Sequence, residues 1–204
     1  MPDRVVLFID AQNMYHCARK AFFQPDDHFC SGQFDPIALG NLIVSRAPAG
    51  FERVLHEVRI YTGRPESSKQ PRAYGAHMRQ CAVWERAGAI IVPRTLRYPP
   101  DWPASKAEEK GIDVQLSIDF VAAAIEGSYD VGIICSTDTD LRPAIEYVAG
   151  KFAQYPRPEV AAWRSSTANA ALAIKGSKSI WNHRLTWADY QQIEDTTDYT
   201  RPSN

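Results

Sequence analysis

The run RVVLFI at residues 4–9 restricts the fold more than any other feature of this chain. Five apolar residues follow one another with no polar position between them. A strand with one wet face alternates apolar and polar, whereas a strand buried on both faces does not, and such strands belong to parallel sheets covered by helices. Largely apolar runs recur as AIIVP at 89–93, DVGIIC at 130–135 and EVAAW at 159–163, with the partly alternating RVLHEVRIYT at 53–62. Helical stretches lie between them. Strand and helix in alternation predict a single α/β domain, a mainly parallel sheet flanked by helices.

The helices are expected over 11–23, from Pro36 behind the start signal Asp35, over 71–88 with Gly88 as stop, over 112–126, from about Thr139 with Pro143 in the first turn, and over a short stretch at 167–174. Residues 24–33 are polar and read as a loop. The Pro-rich, basic and aromatic segment at 94–110 reads as an ordered loop or lid. The 204 residues suffice for one domain, taken as 1–195, with a polar tail at 196–204 expected to fray.

Charge gives no global direction. Lys and Arg total 23 against 24 Asp and Glu, a net charge of −1, so a polyanion would need a local basic patch or metal ions to be held. The N-terminal apolar run is too short for a signal peptide, and no stretch nears the ~20 apolar residues of a membrane span. Cys17, Cys30, Cys81 and Cys135 form no CxxC pair and read as free thiols. These features predict a cytoplasmic protein with no membrane partner, and an apolar-rich single domain of this size is a candidate homodimer.

Parallel sheets bind ligands beyond the carboxyl ends of their strands, where the strand order reverses. Asp10 ends the first strand, Asp138 and Asp140 follow the strand VGIIC, and Asp113 opens a helix. Carboxylates brought together repel and raise one another's pKa, and Mg²⁺ or Mn²⁺ removes that cost because hard cations take carboxylate oxygens. A cation so held lowers the pKa of a bound water and neutralises a phosphodiester under attack. Each Asp also suits a turn or helix cap, and on pattern alone cap and ligand stand level. His16, Cys17, His28 and Cys30 lack zinc-ligand spacing, and no phosphate-binding glycine loop or GxSxG elbow is present.

Three motifs break the tie. LFIDAQN resembles the FIDGxN motif of the NYN domain family within the PIN-like nuclease superfamily, KGIDVQLSIDFV resembles its KGxDxxLxxD segment, and YDVGIICSTDTDLRPAIEYV resembles its YDxxxLxSxDxDFxPL segment. They occur in the family's order, and the pattern is closest to the bacterial LabA-like subgroup. The resemblance implies a metal-dependent ribonuclease acting on single-stranded RNA, with Asp10, Asp113, Asp138 and Asp140 as its acidic metal site and Asn13 and Ser136 setting the geometry. Asp119 matches a further recurrent Asp, but six helical residues place it about 120° around the helix from Asp113, in a supporting role. Ala11 stands where the family has Gly, and Thr137 where it has a small residue. A turn needing positive φ would strain Ala11, and the Thr137 methyl would narrow the approach to the metal.

For the substrate, Lys69, Arg72, Arg94, Arg97 and Lys110, together with Arg64 and Lys106, flank the segments leading to the acidic mouth. Tyr98 and Trp102 interleave with them, suited to stacking on unpaired bases. Two alternatives remain: a non-catalytic RNA-binding or regulatory module with this fold, and a small-phosphate hydrolase using the same carboxylates.

Overall fold

In the computed structural model, which describes residues 1–47, 50–166, 172 and 180–201, the opening run forms β1 (Asp3–Asp10) in the middle of a six-stranded sheet. The other strands are β2 (Arg53–Arg64), β3 (Ile90–Thr95), β4 (Val131–Cys135), β5 (Arg157–Trp163) and β6 (Asn182–Leu185). The order is β3-β2-β1-β4-β5-β6, and every pairing is parallel. The described helices are α1 (Ala11–Phe22), α2 (Pro36–Val44), α3 (Pro71–Arg86), α4 (Ile112–Ile125), α5 (Arg142–Lys151) and α6 (Trp187–Ile193).

The unbroken apolar pattern of β1 has a direct physical cause. Val5, Leu7 and Ile9 point into one core layer with Met14 and Ala18 of α1 and Leu39 and Ile43 of α2. Val6 and Phe8 point into the opposite layer with Leu116 and Phe120 of α4 and Ile145 and Val148 of α5. Both faces are therefore dry, and each buried side chain of this kind stabilises the fold by roughly 1.5–3 kcal/mol. Gly132 of β4 is required by the second layer. A Cβ there would come within 2.5 Å of the Tyr129 ring and 2.8 Å of Phe120.

Helix starts follow their caps. Asp10 caps α1, and Asp35 accepts from the Ile37 and Ala38 N–H groups at 2.8 and 3.0 Å with Pro36 in the first turn of α2. The strand at 89–93 runs on through Pro93 to Thr95, which costs no ladder bond because β3 is a sheet edge.

Two elements go beyond the sequence reading. β6 adds a strand outside β5, with His183 and Leu185 buried on its inner side, and α6 follows behind a reciprocal cap between Thr186 and Asp189. The tail expected to fray is pinned over its described part. The Thr197 carbonyl accepts from Gln33 at 3.2 Å, the Tyr199 carbonyl accepts from Arg79 at 2.7 Å, and the Tyr199 ring is buried. The helix expected at 167–174 falls outside the described residues except for Leu172. No described helix is long and apolar enough to cross a membrane, and the four cysteines are free thiols.

Candidate active site at the switch point

The chain passes from β1 outward to β2 and β3 on one side, and from β4 outward to β5 and β6 on the other, so the order reverses between β1 and β4. Open parallel sheets bind ligands at the carboxyl side of that reversal. Asp10 leaves β1 there and Ser136, Thr137 and Asp138 leave β4. A small network joins the two corners. Asp10 accepts from the Asn13 N–H at 3.0 Å and from the Ser136 hydroxyl at 3.4 Å. The Asn13 carbonyl oxygen accepts from the Thr137 N–H at 3.0 Å and from its hydroxyl at 3.2 Å. The Ser136 Oγ accepts from the Asp138 N–H at 3.1 Å, and Asp138 accepts from the Asp140 N–H at 2.9 Å, capping the short 3₁₀ turn Thr139–Leu141.

The strain expected at Ala11 is absent, because the residue opens α1 with ordinary helical geometry and no described residue other than glycine has positive φ. Thr137 adds a hydrogen bond to Asn13 through the hydroxyl that a small residue would lack. Asp10 and Asp138 are caps, and the same capping bonds hold their carboxylates at the mouth.

Asp113 arrives from the other side, in the first turn of α4 behind Gly111, whose φ of +74° takes the chain through the left-handed region. Asp10, Asp113 and Asp138 line one hollow of about 270 Å³ together with Glu109, Asn13 and Gln12. Asp10 is only 5% exposed, and its carboxyl is pushed up to about 7, first by burial and then by Glu109 and Asp113 nearby. Asp113 is raised by burial and by Asp138 and Asp140; Glu109 is raised by burial and by Asp113. Asp140 is exposed and does not line the hollow, but its charge is felt at Asp113. Asp119 lies elsewhere, accepting from the Tyr61 hydroxyl at 3.0 Å and from Gln115 at 2.8 Å, a supporting role.

Glu109 is the site residue that sequence reasoning missed. It accepts from the Gly63 N–H at 2.7 Å, and the Gln12 amide donates to both its oxygens at 2.8 and 2.6 Å. Among the described residues no three His, Cys, Asp or Glu side chains close on one point as a ready cage. The donors around the hollow fit a hard divalent cation by their chemistry, since they are chiefly carboxylate oxygens. His16, Cys17, His28 and Cys30 are not brought together as ligands: Cys17 donates to Asn13 at 3.6 Å and Cys30 to the Thr197 carbonyl at 3.4 Å.

The expected substrate residues divide. Arg94 stands at the rim of the hollow, donating to the Lys110 carbonyl at 3.2 Å and to Gln115 at 3.3 Å, and its guanidinium passes over Gly111. Lys110, Lys106, Arg72 and Arg97 are exposed, and Arg97 and Glu108 exchange backbone hydrogen bonds that order the lid. Lys69 pairs with Glu66 at 3.5 Å and lies 4.2 Å over the Tyr98 ring. Tyr98 bonds the Glu66 N–H and Gln70, both at 2.9 Å, and packs edge-on against Trp102 at 5.0 Å. That aromatic pair fastens the lid to the turn before α3, and both residues remain part-exposed. Arg64 is half-buried and donates to the Thr95 hydroxyl at 3.4 Å.

A single α/β domain with a six-stranded, all-parallel sheet flanked by helices is consistent with a PIN-like fold. A family model of the NYN domain matches residues 4–153, and the chain belongs to the NYN domain family, within the PIN-like nuclease superfamily, whose members are generally nuclease-like. The match does not divide between subgroups. No curated protein matches the sequence. Among solved structures, the chain is similar to a protein of unknown function from Vibrio parahaemolyticus at 16% identity, over 79% of this chain and 81% of that one, with a TM-score of 0.49.

Proposed function

We propose that this protein is a metal-dependent ribonuclease that hydrolyses phosphodiester bonds in single-stranded RNA. The observation that carries the reading is the gathering of Asp10, Asp113 and Asp138, with Glu109, on one hollow at the switch point. Asp10, Asp113 and Asp138 would hold Mg²⁺ or Mn²⁺, directly or through water, with Asp140 at the opening. The cation would supply charge neutralisation at the phosphate and activation of an attacking water. The chain's own part is orientation. Ser136 and Asn13 fix the Asp10 carboxylate and tie the β1 corner to the β4 corner, so that carboxylates from separate strands keep a set separation. Arg94 and Lys110 at the rim supply the local positive charge that a net charge of −1 does not. Arg97 on the lid and Arg72 in the first turn of α3 add exposed positive charge, while Lys69, Tyr98 and Trp102 hold the lid in place.

The test combines Mn²⁺ calorimetry with cleavage of a labelled single-stranded RNA by wild type, Asp10→Asn and Asp138→Asn. Wild type is expected to bind the metal and cleave, and both variants to lose cleavage. Metal binding by wild type with no cleavage of RNA would favour a non-catalytic RNA-binding module. No metal binding at all would reduce the aspartates to caps and sink the mechanism.

A further inference from the structure

Next to the acidic hollow, and sharing Gln12 and Glu109 with it, lies a second half-open pocket of about 330 Å³ over the carboxyl end of β2. Its aromatic residues come from three elements: Tyr15 from α1, Phe29 and Phe34 from the loop after it, and Trp84 from α3. Phe34 and Trp84 are buried, while Phe29 is 48% exposed. The Phe29 carbonyl accepts from the Tyr15 hydroxyl at 2.8 Å, so this exposed ring sits on a fastened loop.

Amides supply the polar part. Gln80 donates to Gln33 at 3.1 Å and Gln33 donates to the Thr197 carbonyl at 3.2 Å, which holds both amide groups in fixed orientation before any ligand arrives. Among the described residues no Lys or Arg lines the pocket, and the one charged group lining it is Glu109. A phosphate would meet a carboxylate and no cation there. A neutral flat ring would meet aromatic surface and carboxamides, and the volume suits one base with its sugar. Carboxamides pair two-fold with the N6/N7 edge of adenine.

We infer that this pocket receives one purine base, adenine first, of a single strand whose neighbouring phosphate lies at the acidic hollow. The inference rests on the ribonuclease reading and adds base selection to it. The shared Gln12–Glu109 wall sets the base one step from the phosphate under attack. The pocket is thus the part of the protein that chooses where a strand is positioned.

The experiment titrates the full chain with fluorescent oligo(A), oligo(U) and an oligo(A) bearing one abasic position, all in EDTA. Wild type is compared with Phe29→Ala and with Ala107→Phe, which fills the pocket from its lid side, and melting temperatures check the fold. Two-fold pairing of a carboxamide with the adenine edge predicts a roughly tenfold to hundredfold preference of wild type for oligo(A), and both variants, which lose the ring contact or the space for the base, should bind oligo(A) as weakly as oligo(U). The same preference in all three proteins would overturn the pocket. Cleavage with Mn²⁺ is followed in parallel. Cleavage at equal rates on both strands by all three proteins would leave the ribonuclease reading standing without the pocket. A base preference that the variants lose, with no cleavage by wild type, would leave the pocket standing without the nuclease.

Discussion

Replacing Asp10 by Asn separates the charge of this residue from its role as a cap. The variant keeps an oxygen to accept the Asn13 N–H, so the start of α1 is retained. What it removes is a carboxyl that is 5% exposed and raised from 3.8 to about 7 by burial and by its neighbours Glu109 and Asp113. The folded protein holds that proton more tightly than the unfolded chain does. Folding therefore takes up a proton in the window between 3.8 and about 7, and stability falls as pH rises through it. About three pH units at ~1.36 kcal/mol each give a penalty on the order of 4 kcal/mol above pH 7 in the metal-free protein.

Urea denaturation in EDTA at about pH 4.5 and about pH 8 measures this directly. At the lower pH the two proteins should differ little. At the higher pH Asp10→Asn should be the more stable, by up to that amount. Saturating Mn²⁺ at the higher pH should then reverse the order, because only wild type keeps the full acidic set. A stability difference of the same size at both pH values would refute the buried charge as the source of strain.

Other perturbations address the surroundings of the site. Asn13→Ala removes the acceptor of both Thr137 bonds and should cost about 1–3 kcal/mol by denaturation, with cleavage falling more steeply than stability, whereas Asn13→Asp keeps the acceptor and should recover most of the stability. Gly63→Ala places a Cβ against the Glu109 carboxylate and 2.5 Å from Leu96; it should cost about 1–3 kcal/mol and weaken Mn²⁺ binding, read by calorimetry. Glu159→Ala strips the two-fold partner at 2.9 and 2.6 Å from Arg53, whose side chain is 3% exposed, together with the His183 contact at 2.8 Å. It should cost about 3–5 kcal/mol in urea while leaving Mn²⁺ affinity unchanged, because Arg53 begins β2 at the end of the sheet away from the hollow.

What the sequence disclosed and what it hid follow one physical division. β1 and β4 were legible because burial on both faces leaves no polar position, and α2 because Asp35 and Pro36 mark its start locally. β6 was hidden because only four residues, NHRL, pair there, three of them polar, and the burial of His183 depends on Glu159 of β5. α6 did carry a local signal, since Thr186 and Asp189 have the spacing of a reciprocal cap before an apolar turn. The contacts of Tyr98 and Trp102 were hidden because sequence names the residue types but not their partners. Glu66 and Gln70, some thirty residues away, are what Tyr98 spends its hydroxyl on.

Glu109 carries the same argument to the site itself. In sequence it belongs to the segment at 94–110 that reads as a lid, and no pattern there marks its carboxylate as part of the acidic mouth. Its place is set by the Gly63 N–H, 46 residues away, and by Gln12, so only the folded sheet brings it to Asp113. The aspartates drew notice because Asp10 and Asp138 stand beyond strand ends and the motifs around them resemble those of a family, while capping and metal holding ask for the same placement. A capped carboxylate is already oriented and part-desolvated, which makes it a poor place for a lone charge and a good one for a charge that a cation will share. The cost of crowding these groups falls on the metal-free protein. The hydrogen bonds from Asn13, Ser136 and Gly63 keep them from relaxing apart.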